Sequence, residues 1–265
     1  MTQSAAERWA RELADWAVPP AILEAAPRRP FVFTPEMFAA PPPGAPNTST
    51  TTRRALEALP SDGSVLDVGC GGGAAAFALA PPAGRLIGTD RQADMVELFL
   101  QTAAERGIEA SGHIGSWPDI APEVPDADVA VCHNVLYNAP DIVAFARALD
   151  SHAGRRVVIE ITHLHPQEVR KPLWRHFWDL DRPDGPSAEV AAAALREAGI
   201  HVNVEESQAT VRDSDRAKPV EAAFWCRQLC LPPDREPEVA ELIADIVFPT
   251  ERVALWWDTG GPASR

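Results

Sequence analysis

The chain has 265 residues, 46% hydrophobic and 23% charged, with a formal net charge of −14. That length can bury one sizeable core, or one core plus a small appended piece, and no apolar run approaches the roughly 18 residues a bilayer-spanning helix needs. No basic run exceeds the pairs Arg53-Arg54 and Arg155-Arg156, so so acidic a chain argues against a nucleic-acid partner, whose phosphates it would repel.

Met1 to Arg11 carries no signal-peptide pattern, and a soluble, cytoplasmic protein without membrane contact is expected. The four cysteines (Cys70, Cys132, Cys226 and Cys230) form no CxxC pair. Cys226 and Cys230 would share one helix face, but no His or acidic partner stands at finger-like spacing. Packed, reduced thiols and no metal site are the expectation. Only Lys171 and Lys218 among the 24 Lys and Arg residues are lysines, which with the Ala and Pro excess points to a GC-rich bacterial genome.

Residues 1–60 read as a lead segment and a candidate lid. The spacing of Ala5, Trp9, Leu13 and Trp16 predicts a helix over Ser4 to Trp16, stopped by Pro19-Pro20, with a further helical turn over Ala21 to Ala26. Pro41 to Pro46 must be an extended loop, because proline fixes φ and lacks an amide donor. Thr50 to Leu59 reads as a helix. From Ser64 strands and helices alternate, the signature of a parallel α/β sheet. Strands are predicted at Val65–Val68, Arg85–Thr89, Ala110–Ile114, Val129–His133, Arg156–Ile161, Val202–Ser207 and Arg252–Trp257. Helices are predicted at Gly73–Leu79, Gln92–Arg106, Asp141–Leu149, Pro186–Ala198, Glu221–Leu231 and Glu236–Ile246. Residues 162–185, rich in His and Trp, read as an insertion and a second candidate lid within a domain over residues 61–265.

The chemistry sits in Val65-Leu66-Asp67-Val68-Gly69-Cys70-Gly71-Gly72-Gly73, where a strand runs into a glycine-rich turn and a helix. Gly69, Gly71 and Gly73 permit a tight turn and close approach of backbone to a ligand. Asp90 closes the second strand, where its carboxylate can accept from both hydroxyls of a ribose. This spacing suits a dinucleotide as well as S-adenosylmethionine. Asp67 separates the two, because a carboxylate at the buried end of an apolar strand needs a cationic or hydrogen-bonding partner. S-adenosylmethionine brings an α-ammonium; a dinucleotide has no group there that calls for a carboxylate.

The VLDVGCGGG run, then LIGTD, then DADVAVCHNVLYNAPD resemble the class I S-adenosylmethionine-dependent methyltransferase family over roughly residues 55–165. The resemblance implies an α/β, Rossmann-like, doubly wound seven-stranded sheet of order 3-2-1-4-5-7-6. Its last strand would be antiparallel, and an N-terminal helical extension would precede the sheet. It also implies S-adenosyl-L-methionine as cofactor and S-adenosyl-L-homocysteine as product; the expected methyl acceptor is a small molecule offering an O- or N-nucleophile. Carried onto this chain, Asp67, Gly69, Cys70 and Gly71 would border the methionine part and Asp90 the ribose. Arg91 and Gln92 would lie beside the adenine, Ser116 and Trp117 would cover its edge, and His133 and Asn134 would lie near the transferred methyl. The family often places an Asp after strand three; here Gly115-Ser116 stands instead, so Ser116 or a backbone group must serve the adenine.

Methyl transfer needs alignment and dryness, with a base only when the acceptor holds a proton of high pKa. His133, His163, His165 and Tyr137 are the candidate catalytic residues, with His176 a further histidine. His163-Leu164-His165 could alternatively be a metal pair or packing residues. Trp174, Phe177 and Trp178 recur at helical spacing, which fits a packing face or an aromatic lid. Trp9, Trp16, Phe31 and Phe33 admit the same two readings. A NAD-linked oxidoreductase would need a second constellation such as Tyr-x-x-x-Lys, which is absent from the sequence. A non-catalytic methyltransferase-like binding module and a protein methyltransferase remain as alternatives.

Overall fold

The computed structural model describes residues 3–31, 33, 38, 40–44, 49–208, 222–244, 246 and 251–260. Seven strands carry the fold: β1 (Gly63–Val68), β2 (Ala83–Asp90), β3 (Glu109–Ile114), β4 (Ala127–His133), β5 (Ala153–Thr162), β6 (Asn203–Gln208) and β7 (Glu251–Asp258). They pair in the order β3-β2-β1-β4-β5-β7-β6. The first five strands are parallel, whereas β7 runs antiparallel to both β5 and β6. Near-continuous apolar runs such as Val157-Val158-Ile159 suit central strands covered on both faces.

Helices cover those faces. α1 (Ala5–Ala14) starts in a capping box between Ser4 and Glu7. α3 (Thr50–Ala58), capped by Ser49, lies against β5. α5 (Ala93–Arg106) ends on Gly107 at φ +65°, a conformation glycine adopts without strain. α6 (Ile142–His152) and α8 (Ala188–Glu197) cover the opposite face together with α1. Trp9 of α1 is wholly buried there and its Nε1 donates to the Ala139 carbonyl at 2.9 Å.

A second apolar nucleus assembles from three distant segments. α2 (Pro20–Ala25), α7 (Lys171–Trp178), α9 (Ala222–Gln228) and α10 (Glu236–Ile243) pack around Val18, Leu173, Trp174, Trp225 and Val239. This helical cap contains Cys226 and Cys230; all four cysteines are free and buried. Trp174 is wholly buried in this cluster, Phe177 and Trp178 pack against it, and Trp178 Nε1 donates to the Leu229 carbonyl at 2.7 Å. The packing reading of these three aromatics therefore holds, and none of them reaches the cavity described below.

Most predicted elements form within a few residues of their expected ends; the helix after the glycine turn does not. α4 spans only Ala74–Phe77 instead of Gly73–Leu79, because Pro81 and Pro82 follow closely and supply no amide donors. Trp256 and Trp257 lie on opposite faces of β7, as strand alternation demands. Trp257 enters the core, while Trp256 is held between the Arg54 and Arg156 guanidinium groups at 4.8 and 4.4 Å. Ala45, Pro46, Lys218 and Glu221, named in the sequence reading, lie outside the described residues. Among the described residues, no helix is long and apolar enough to cross a membrane.

Candidate active site

The turn after β1 folds back on the end of β2. The amides of Gly69 and Cys70 both donate to the Thr89 carbonyl, at 2.8 and 2.9 Å. Gly69 and Gly71 have φ of +72° and +49°, in the left-handed region that disfavours other residues. The need for glycine at two of the three positions proves to be internal to the protein. A Cβ on Gly69 would lie 2.2 Å from Val135 Cγ2, and one on Gly73 would strike Phe77 and Phe99 within 2.8 Å. Only at Gly71 does the turn keep an approach over which another group, Phe38, already sits, 3.2 Å from the would-be Cβ. The single turn of α4 is too short to offer a dipole to a ligand, and its Ala76 amide is used inside the protein, donating to Asp67 Oδ2 at 3.1 Å.

Asp67 is 1% exposed, and burial pushes its carboxyl up to about 6. Neighbouring His133 and the Ala76 amide partly offset that rise, and Asp90 adds to it. The second oxygen of Asp67 has no hydrogen-bond partner among the described residues. Asp90 is pinned from both sides: Oδ2 accepts from the Gly71 amide at 3.1 Å and Oδ1 from the Gln92 amide at 3.0 Å. Each of these oxygens keeps a free lone pair for a hydroxyl donor.

These groups open into one cavity of about 1330 Å³ at the carboxyl ends of the strands, where open α/β sheets bind ligands. Asp67, Gly69, Cys70, Gly71, Asp90, Arg91, Gln92, Ser116, Trp117, His133 and Asn134 all line it. Trp117 is steadied by donation from Nε1 to the Phe145 carbonyl at 3.2 Å. Asn134 takes φ +60°, and its amide donates to the Glu160 carbonyl at 2.8 Å, which fixes the end of β4. The cavity fits the cofactor expected from the motif. It offers a buried carboxylate lacking a cation, a second one aimed where a ribose would lie, and a left-handed backbone turn at Gly71.

The other end of the cavity is aromatic. Leu13, Trp16, Tyr137 and His165 line it. Trp16 stacks on His165 at 4.2 Å, and Tyr137 meets the same imidazole edge-on at 5.1 Å. Trp16 Nε1 donates to the Gly185 carbonyl, and the buried Arg182 donates to the Trp16 and Ala17 carbonyls, so the insertion clasps the end of α1. Burial, with Arg182 and Arg170 nearby, pushes the His165 imidazole down to about 3 and keeps it neutral. Its Nδ1 accepts from the Gln167 amide at 3.3 Å, which leaves the ring hydrogen on Nε2.

The four candidate catalytic residues thus separate. His133 lines the cavity and has no hydrogen-bond partner among the described residues. His165 lines it as a neutral donor. Tyr137 lines it, but burial pushes its phenol up to about 12, and its hydroxyl donates to the Thr162 carbonyl at 2.8 Å. His163 lies outside the cavity, bonded to Glu206 at 3.1 Å and 3.3 Å from Glu189, so the His-x-His pair does not converge. His176 pairs with Glu238 at 2.7 Å on the cap surface. Glu160 is among the lining residues that the sequence did not single out as functional. Glu160 is 8% exposed near the end of β5, and Thr51 Oγ1 donates to its Oε2 at 2.8 Å. Its signal was that of Asp67, a lone carboxylate on an apolar strand.

Residues 59–172 match a methyltransferase domain family model. With the donor cradle and the sheet order above, that decides the class. Residues 59–172 thus form a methyltransferase domain, with the sheet order and cradle expected for the class I S-adenosylmethionine-dependent family. Among curated proteins, the ubiquinone biosynthesis O-methyltransferase of Xanthomonas euvesicatoria pv. vesicatoria is 32% identical over 88 residues, 33% of this chain and 37% of that protein. The ribosomal protein L11 methyltransferase of Methylobacillus flagellatus is 25% identical over 141 residues, 52% of this chain and 45% of that one. The chain therefore spans less than half the length of these relatives. The YcgJ protein of Bacillus subtilis shares the fold with a TM-score of 0.54 at 16% identity, covering 79% of this chain and 97% of that one. The [4+2]-cyclase SpnF shares it at 0.51 and 18% identity, covering 78% and 79%. The methyltransferase fold by itself consequently says little about the acceptor.

Proposed function

We propose that this protein transfers a methyl group from S-adenosyl-L-methionine to an O- or N-nucleophile of a small molecule, leaving S-adenosyl-L-homocysteine, in the cytoplasm. The observation that carries this reading is the continuity of one cavity from Asp67, Gly71 and Asp90 to the aromatic walls of Trp16, Tyr137 and His165. The bound cofactor supplies an activated methyl on a sulfonium. The protein then has to hold both partners in line and keep water out. Asp90 receives the ribose hydroxyls, and Arg91, Gln92, Ser116 and Trp117 border the adenine. Asp67 compensates the positive charge of the methionine part. Asn134 and the turn amides shape the approach to the methyl.

His133 is the proton acceptor in this reading, being the one candidate among the four that lines the cavity with its imidazole uncommitted. His165 acts as a hydrogen-bond donor to the acceptor. The N-terminal segment and residues 162–185, joined through Trp16, Gly185 and Arg182, serve as the lid. No nucleic acid is expected as acceptor, given the net charge of −14. A protein acceptor is the second reading, favoured by the likeness to the ribosomal protein L11 methyltransferase and by the attraction of an acidic surface for basic tails. The enclosed aromatic walls favour the small molecule.

Calorimetric titration with S-adenosylmethionine, S-adenosylhomocysteine and NAD tests the donor. Binding of both sulfur nucleotides without NAD is expected. Tight NAD binding, or binding of neither sulfur nucleotide, overturns the proposal.

A further inference from the structure

We propose that Glu160 is the acceptor-recognising carboxylate of this cavity, and that the acceptor is an arylalkyl amine whose nitrogen it receives. The inference rests on the donor reading above and adds the substrate class. β4 and β5 pair with His133 opposite Glu160, while β1 and β4 pair with Asp67 opposite Val131, two residues before His133. Side chains in register, or two apart, share a face of the sheet. Asp67, His133 and Glu160 therefore form a row across three adjacent strands, with Glu160 one strand further from the glycine turn.

Glu160 is 92% buried and lines the cavity. Thr51 occupies one carboxylate oxygen; the other has no partner, and no Lys, Arg or His pairs with Glu160 among the described residues. Anchoring α3 through Thr51 needs one acceptor oxygen, which a glutamine would supply without a charge. A buried carboxylate is costly unless a donor or a cation meets it, and a ligand is the group left to do so. The arginines that line the cavity, Arg91 and Arg106, follow β2 and close α5 on the donor side; Arg170 and Arg182 lie near His165 but do not line the cavity, so no lining Lys or Arg at the aromatic end would hold an anionic acceptor. An amine satisfies the carboxylate, and Leu13, Trp16 and Tyr137 supply an apolar seat for an aryl group.

The chemistry balances on these groups. Glu160 holds the bound ammonium, which gives one proton to the His133 imidazole in register with it. The neutral nitrogen then forms its bond to the methyl carbon as the carbon–sulfur bond breaks, and the positive charge passes from sulfur to nitrogen. His133 afterwards releases its proton to solvent.

The test titrates 2-phenylethylamine, 2-phenylethanol and phenylacetate into wild type, E160Q and T51V, each saturated with S-adenosylhomocysteine. Wild type is expected to bind the amine at least tenfold more tightly than either other probe. E160Q should lose that preference while its S-adenosylhomocysteine affinity stays within twofold, and T51V, which keeps the charge and loses only the anchor, should retain the preference. Equal binding of the three probes, or binding of none, overturns the proposal, as does loss of the preference in T51V. A tenfold loss of S-adenosylhomocysteine affinity in E160Q also overturns it, by assigning Glu160 to the donor. If wild type fails to bind S-adenosylhomocysteine, the donor reading falls first and this inference with it.

Discussion

At the donor end of the cavity, Asp67, Gly69, Gly71, Asp90 and Gln92 come from one β-turn-β passage of the chain, and most of their bonds run through backbone amides. At the proposed acceptor end, Leu13, Trp16, Tyr137, Glu160 and His165 line the cavity from segments far apart in sequence. The donor end is thus a local structure that the sheet only has to support. The acceptor end exists only after α1, the insertion and β5 have met. A substitution at the first should show as lost donor affinity or a broken turn. One at the second should alter packing and acceptor choice while the donor still binds.

At neutral pH the largest expected effect is at the turn. Gly69→Ala adds a Cβ 2.2 Å from Val135 Cγ2 at φ +72°, and should destabilise the fold by about 2–4 kcal/mol. Denaturant unfolding measures this, and a Val135→Ala background should recover part of it; no recovery would mean that the backbone angle alone is responsible.

Asp67 and His165 should give opposite pH signatures. Asp67 has a folded-state value raised to about 6 from 3.8. The folded chain keeps its proton between those pH values while the unfolded chain sheds it, so stability falls as pH rises through this window. Above pH 6 the full penalty stands, on the order of 2–3 kcal/mol. Asp67→Asn should therefore stabilise the ligand-free protein at pH 8 but not at pH 3.5, and still weaken S-adenosylhomocysteine binding. His165 is lowered to about 3 from 6.5. Its contribution is intact above pH 6.5 and is lost on acidification, by about 1.4 kcal/mol per unit until pH 3. His165→Asn should flatten that acid slope in thermal melts followed by tryptophan fluorescence; an unchanged slope would place the sensitivity elsewhere.

Asp90→Ala should weaken S-adenosylhomocysteine at least tenfold, about 1.4 kcal/mol, by calorimetry. Acceptor binding should change little, so equal losses at both ends would dissolve the contrast between them. The smallest effect belongs to His163, half-exposed, hydrogen-bonded to Glu206 and 3.3 Å from Glu189. His163→Ala should shift stability by less than about 0.5 kcal/mol and leave turnover unaltered; a large rate loss would bring His163 into the site.

The donor residues were readable because a strand, a glycine turn and an acidic strand end sit at fixed spacing. Asp67 was readable because a carboxylate in an apolar strand calls for a partner. Glu160 sends the same signal, yet its neighbour Thr51 lies on α3, and only the packing of α3 on β5 makes the pair visible. The histidines show the limit most sharply. His163 and His165 are two residues apart, but one faces Glu206 and the other stacks on Trp16 of α1, and residue type alone does not distinguish them. The expected length of α4 failed because the turn was credited with a full helix that Pro81 and Pro82 cut short.

The amino-acid sequence alone determined the alternation of elements, the sheet they form and the donor turn, since each depends on periodicity or on backbone angles that nearby residues impose. Tertiary structure decided which aromatics pack, which histidine keeps a free imidazole and which further carboxylate lines the cavity. Those properties depend on burial and on neighbours brought in from distant segments, and no local spacing encodes them.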